Sequence, residues 1–302
     1  MTQRLAAIGV LVALAITLDG CVSPGHSAVI PATQNKYLGV YEQGTLSTYR
    51  AVSKFAAETG RLPNIVLYYS GWYEKFNVQF AERAYAHGAV PFVQIDPTDI
   101  SLAAIAAGKY DTYLQRYAAQ VRIWGHPVLI GFAHEMNGDW YSWGYTHVTP
   151  ATWVAAWLHV VDVFRSHGAD NVTWLWTPNG EQPGMPPLRA YWPGAAYVTW
   201  VGINGYLEVP SDSYDSVFGS TVTAIRTFTG KPILLSEIGV GPDTGRQPQD
   251  ITAVFNGIHR QHLLGLVWFD VDQNDGINHQ DWRLENSPAA IAAFRSGVRN
   301  YG

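Results

Sequence analysis

A single cysteine, Cys21, is the whole thiol content of the chain, so no intrachain disulfide can form and stability has to come from a hydrophobic core. With 47% hydrophobic residues over 302 positions, such a core is available. Charge of one sign is also scarce. The formal net charge is -5, the pI is near 6.0, and no five like charges stand together, which excludes the electrostatic footprint of a nucleic-acid binder. No G-x-G-x-x-G follows the first strand candidate and no P-loop pattern occurs, so neither dinucleotide nor nucleoside triphosphate binding is indicated. The zinc-protease pattern H-E-x-x-H is missing too, because His134-Glu135 is followed by Gly138 where the second histidine would stand. With no Cys/His cluster elsewhere, no metal and no cofactor is expected.

No uninterrupted apolar run is long enough to favour a membrane-spanning helix of roughly 20 residues. The longest, Leu5 to Leu18, follows Met1-Thr2-Gln3-Arg4 and reads as the core of an export signal. Its ending, Leu18-Asp19-Gly20-Cys21, resembles the bacterial lipoprotein box, although Asp19 departs from the small or apolar residue usual there. Lipid attachment at Cys21 is the expectation, with simple secretion as the alternative. The chain is therefore expected outside the cytoplasm, touching a membrane only through that anchor. Residues 22–36 carry Pro, Gly and Ser without periodicity and are expected to form a tether.

From Tyr37 to the end at residue 302, apolar runs alternate with helical patterns and no second linker intervenes, so one domain is expected, and a monomer. Eight strands are predicted: 37–41, 64–69, 90–95, 127–132, 172–176, 198–203, 232–235 and 263–269. Between the fourth and fifth, Thr149 can cap a helix with Pro150 in its first turn and Val154, Trp157, Leu158, Val161 and Phe164 on one face. Strand then helix, repeated over about 250 residues, is the pattern of a (β/α)8 TIM barrel. A doubly wound sheet shares the alternation. The barrel is preferred because polar residues gather at the ends of several different strands.

The chemistry gathers at those ends. After Val128-Leu129-Ile130, the stretch His134-Glu135-Met136-Asn137-Gly138-Asp139-Trp140-Tyr141-Ser142-Trp143 mixes acid, amide, imidazole and large rings in a way no amphipathic core element does. A second acid, Glu237, follows Pro232-Ile233-Leu234-Leu235-Ser236. Glutamates after strands four and seven face each other across a barrel mouth. Cleaving a glycosidic bond uses such a pair, one carboxylic acid to protonate the leaving oxygen and one carboxylate to meet the positive anomeric carbon. The 12 Trp and 17 Tyr supply rings on which sugars stack, though most aromatics in any domain are core.

The H-E-M-N-G pentapeptide, the W-Y-x-W-G that follows from Trp140, and the P-I-L-L-S-E segment ending at Glu237 resemble glycoside hydrolase family 26, over essentially the whole of residues 37–299. The resemblance implies a retaining endo-β-glycosidase acting on a polysaccharide, with Glu135 as acid/base and Glu237 as nucleophile. β-1,4-Mannan is the leading substrate; β-1,3-1,4-glucan, β-1,3-xylan and an envelope glycan of the producing cell are alternatives, as is a barrel that binds glycan without cutting it. By the same resemblance Tyr206 hydrogen-bonds the nucleophile, His134 contacts the nucleophile or the sugar, Trp140 packs beside the acid/base, and Trp268 is the aromatic floor of the cleaved sugar's subsite. Asn204 stands where many mannan-active members have Asp, which affects subsite preference. Glu135, beside Met136 and Trp140, is expected to be the desolvated, protonated carboxyl and Glu237 the ionised one. Tyr69, Trp72, Asp96, Tyr141, Trp143, Trp176 and Asn179 also fall near strand ends and are candidates for sugar contact.

Overall fold

The structure, a computed structural model, describes residues 30–274 and 280–299. The expected export signal, Cys21 and the first part of the expected tether lie outside these residues. Eight parallel strands close into a barrel in sequence order: β1 (Tyr37–Tyr41), β2 (Ile65–Gly71), β3 (Val90–Asp96), β4 (Val128–Phe132), β5 (Val172–Trp176), β6 (Trp200–Leu207), β7 (Ile233–Val240) and β8 (Gly265–Phe269), with β8 pairing back to β1. The outer layer comprises α1 (Arg50–Thr59), α2 (Val78–Ala86), α3 (Leu102–Ala106), α4 (Asp111–Trp124), α5 (Pro150–Ser166), α6 (Ser220–Arg226), α7 (Gln247–Arg260) and α8 (Pro288–Val298). The alternation is less regular than the sequence suggests. Two helices, α3 and α4, follow β3, and the β5–β6 connection has only a 3-10 turn at Leu188–Tyr191.

Helix α5 starts as its sequence demands, with the Thr149 hydroxyl accepting from the Thr152 N–H and Pro150 in the first turn. Its buried face is rotated from the expected one. Trp153, Ala156, Trp157, Val160, Val161, Val163 and Phe164 are buried, while Val154 and Leu158 are only partly covered. Apolar residues fill so much of this helix that the pattern alone leaves the orientation open, and packing of Trp153 flat on Trp157, ring centres 5.4 Å apart, decides it.

Inside the barrel the residues fall into layers, because alternate side chains of each strand face inward. The lower half is apolar, with Ile65, Leu67, Phe92, Leu129, Leu175, Trp200, Leu234 and Val267 in one buried cluster. Ile30 joins that cluster, its N–H on the Thr173 hydroxyl at 3.3 Å, and the Asn35 and Lys36 N–H groups bond Leu263 and Leu264 carbonyls. Residues 30–36, expected in the tether, thus close the base of the barrel, since a buried isoleucine and paired backbone amides hold them there.

Above the apolar layer lie Gln94, Thr177 and Ser236, all fully buried. Gly131 makes room for them: a Cβ there would come within 2.0 Å of the Gln94 amide oxygen. The next inward positions upward are Tyr69, Asp96, Asn204, Tyr206, Glu237 and Phe269, which form the mouth.

Candidate active site

Glu135 does not end β4, as expected, but lies three residues beyond it. Chain direction changes abruptly there, with Ala133 at φ 47° and Glu135 at φ 54°. Such left-handed backbone costs about 1–3 kcal/mol per non-glycine residue and persists only where neighbours hold it. Here the holders are explicit. The Glu135 N–H bonds the Thr177 carbonyl at 2.7 Å, Ala133 N–H bonds Ile95 at 3.0 Å, and the indole N–H groups of Trp153 and Trp143 cap the Ala133 and His134 carbonyls at 3.1 and 2.7 Å. Asn137 ties the loop to the end of β5, donating to the Asn179 carbonyl and accepting from its N–H, both at 2.9 Å. The Glu135 carboxylate itself is oriented by Trp140 Nε1 at 2.7 Å on one oxygen and Asn179 Nδ2 at 3.0 Å on the other. Gly138 is required for this arrangement, because a Cβ on it would stand 2.4 Å from the Trp140 ring.

Glu237 is inside β7 rather than after it, and a bulge aims it. Pairing with β6 runs Ile203 to Leu235 and then Asn204 to Glu237, leaving Ser236 as an extra residue. Both Ser236 and Glu237 therefore face the interior, Ser236 donating to Asn204 Oδ1 at 2.7 Å. Tyr206 and Tyr69 hydroxyls each donate to one Glu237 oxygen, and Asn204 Nδ2 approaches at 3.3 Å. Tyr206 thus reaches the nucleophile candidate as expected, and Asn204, expected to bear on subsite preference, reaches it too. Tyr69, expected as a sugar contact, is found on Glu237 as well. Burial followed by the Glu237 charge raises both tyrosines, so they remain protonated donors.

Burial, then the neighbouring Glu135 charge, push Glu237 up to about 7, against the opposing pull of His134 and of the Tyr206 and Tyr69 hydroxyls. That direction runs opposite to the expectation of a fully ionised Glu237. Burial and the facing Glu135 thus let Glu237 hold its proton into the neutral range.

His134 touches neither Glu237 nor the open cleft. It is 1% exposed, with Nδ1 3.0 Å from Asp96 and Nε2 3.1 Å from the Tyr141 hydroxyl, and it is Tyr141 that lines the cleft. The cleft, about 730 Å³, is lined by Tyr41, Tyr69, Asp96, Glu135, Trp140, Tyr141, Asn179, Tyr206, Glu237 and Phe269, and continues past Glu181, Glu208 and Asp212.

Four expected sugar contacts pack in the core or against it instead. Trp268 is fully buried and faces outward, edge-on to Phe294 with its indole N–H on the Trp282 carbonyl at 3.0 Å; the β8 ring in the mouth is Phe269. Strand parity explains the exchange, because Val267 and Phe269 point inward and Trp268 cannot. Trp143 is 2% exposed and stacks on Tyr141, ring centres 4.4 Å apart. Trp72 packs with Tyr110, Tyr113 and Phe132. Trp176, similarly, is buried on the outer side of β5 against Trp192. Sequence reasoning overlooked Tyr41 and Phe269, although each is the last residue of its predicted strand and so stands at the barrel mouth.

A family-wide sequence profile, described as glycosyl hydrolase family 26, matches residues 103–285, more than half of the chain. "Endoglucanase H" of Acetivibrio thermocellus is 30% identical over 84% of this chain and 29% of its own length. "Mannan endo-1,4-beta-mannosidase" of Bacillus subtilis is 27% identical over 53% of this chain and 45% of its own. The chain thus spans less than half the length of these curated relatives. Among solved structures, a Cellulomonas fimi endo-beta-1,4-mannanase double mutant superposes with a TM-score of 0.69 at 18% identity, covering 88% of this chain and 71% of that one. The catalytic domain of the Bacillus sp. JAMB-750 endo-beta-1,4-mannanase gives 0.66 at 17%, covering 88% and 86%. These two likenesses bear on the barrel fold, whereas the profile match covers the loop of Glu135 and the strand of Glu237 together: the chain belongs to glycosyl hydrolase family 26.

Proposed function

We propose that the protein is a retaining endo-β-glycosidase acting on β-1,4-mannan by double displacement. The observation that carries this reading is the convergence of Glu135 and Glu237 on one aromatic-walled cleft, each with both carboxyl oxygens held by donors. Glu135 donates its proton to the glycosidic oxygen as that bond breaks, while Glu237 attacks the anomeric carbon and forms a covalent glycosyl ester. Water then enters, gives its proton to Glu135, and its oxygen displaces Glu237. Three donors on Glu237 favour its ionised form at the moment of attack. Six carboxyl groups and no Lys, Arg or His line the cleft among the described residues, which suits a neutral glycan.

A second substrate reading has its own support. The relative matching over 84% of this chain is named an endoglucanase, and Asn204 lacks the charge of the aspartate common in mannan-active members, so mixed-linkage β-glucan is the alternative. Reducing-sugar release from galactomannan, lichenan and β-1,3-xylan separates these. Release from galactomannan is expected, with Glu135→Ala lowering kcat about 10²–10⁴-fold and azide rescue of Glu237→Ala giving a glycosyl azide of opposite anomeric configuration. Initial inversion of the product anomer, followed by NMR, would contradict the retaining assignment.

We further propose that the Leu5–Leu18 run directs export and that Cys21 carries lipid. Palmitate labelling lost in Cys21→Ser is the expected result, and an unlabelled wild type removes the anchor.

A further inference from the structure

Asp96, His134 and Tyr141 make one chain of hydrogen bonds that ends in the cleft. Asp96, the last residue of β3, holds His134 Nδ1 at 3.0 Å, and Nε2 meets the Tyr141 hydroxyl at 3.1 Å. Tyr141 cannot swing away. Its ring lies flat on Trp143, with 11° between planes, and edge-on to the imidazole at 4.9 Å. Both ends of the chain, Asp96 and Tyr141, line the cleft beside Glu135, while the imidazole between them is buried.

The direction of the chain depends on the charge of His134. Burial alone would push the imidazole toward its neutral form; the Asp96 carboxylate and its hydrogen bond, with Glu135 and Glu237 farther off, outweigh burial and lift it to about 9. The remaining groups facing the ring are Tyr69, ring centre 5.7 Å away, and Trp143 at 5.9 Å; neither carries charge near neutrality. An imidazolium has two N–H donors and no acceptor. Nδ1–H goes to Asp96, so Nε2–H goes to the Tyr141 oxygen, and the tyrosine's own hydrogen is left for the cleft. A neutral ring protonated at Nδ1 would reverse this, accepting the tyrosine hydrogen at Nε2 and presenting the cleft with lone pairs only.

We propose that Asp96 and His134 are positioning residues that turn the Tyr141 hydroxyl hydrogen into the cleft, where it is donated to an oxygen of the sugar held between Glu135 and Glu237. The proposal rests on the glycosidase reading for its substrate, but the state of the chain does not. A donor placed there, preorganised by a charged partner, holds that oxygen and so orients the sugar for attack by Glu237 without reorganisation during the step.

Two measurements test it. In the 15N-labelled enzyme, both ring nitrogens of His134 should be protonated at neutral pH, and Asp96→Asn should convert the ring to its neutral form; a neutral His134 in the wild type overturns the proposal. On the glycan that the wild type cuts, Tyr141→Phe and Asp96→Asn should each lower kcat/KM roughly tenfold, with the double variant no worse than either single one and Asp96→Glu recovering part of the loss. A further roughly tenfold loss in the double variant means that Asp96 acts independently and overturns the chain. A wild type that cuts no glycan counts against the glycosidase reading alone, because the ring nitrogens still decide the direction of the chain.

Discussion

Glu237 is held between opposing influences: desolvation and Glu135 raise it, and a charged His134 with the Tyr206 and Tyr69 hydroxyls lowers it. The net rise to about 7 has two consequences of determined sign. A carboxyl whose folded pKa exceeds its ordinary value stabilises the fold below that ordinary value and loses the contribution as pH climbs through the folded one. Glu237→Gln should therefore gain ~1–3 kcal/mol relative to wild type above neutrality and little in acid, measured by urea unfolding at two pH values; equal effects at both contradict the buried charge. Activity should follow the same proton. In a pH–rate profile, kcat/KM should fall about tenfold per pH unit below about 7 as Glu237 takes up the proton that blocks its attack, and a profile flat through neutrality excludes this. At this scale the sequence was legible where chemistry restricts residue type: Glu135, Glu237, Tyr206, Asn204 and Trp140 all stand in the cleft or on its carboxylates. Trp268, Trp143 and Trp72 were misread because a tryptophan serves core and cleft equally well, and only its direction distinguishes them.

Two elements place the carboxyls, and both break regularity to do so. The Ser236 bulge turns Glu237 inward within a strand whose strict alternation would have put Ser236 inward and Glu237 outward. The loop after β4 uses left-handed backbone at Ala133 and Glu135 and ties itself to β5 through Asn137. Asn137→Ala leaves the buried Asn179 N–H and C=O without their partners and should cost about 1–3 kcal/mol, while releasing Asn179 from Glu135; thermal denaturation and kcat read the two effects, and a neutral substitution rules out the tie. The strands themselves were predicted within a few residues. β6 and β7 extend beyond the apolar pattern to Leu207 and Val240 because their backbones keep pairing after their side chains turn polar, which hydrophobic periodicity does not register.

For the molecule as a whole, the barrel base is closed by Ile30 and the backbone of Asn35 and Lys36. A chain truncated to begin at residue 37 should be about 1.5–3 kcal/mol less stable than one that begins at residue 30, from the lost isoleucine burial alone; equal melting temperatures for the two truncations contradict the plug. Eight apolar runs spaced by helical patterns were enough to specify a (β/α)8 barrel, and two glutamates at homologous strand ends were enough to specify which face does the chemistry. Both are properties of residue type and spacing, which a sequence carries directly. Which ring faces the sugar, which donor serves which carboxylate, and which carboxyl bears the burial cost depend on strand parity, the Ser236 bulge and the proximity of residues far apart in the chain. In a parallel barrel both faces of each strand are buried and apolar, so parity leaves no trace in the pattern; packing against the helices on one side and filling of the interior on the other decide it only in three dimensions.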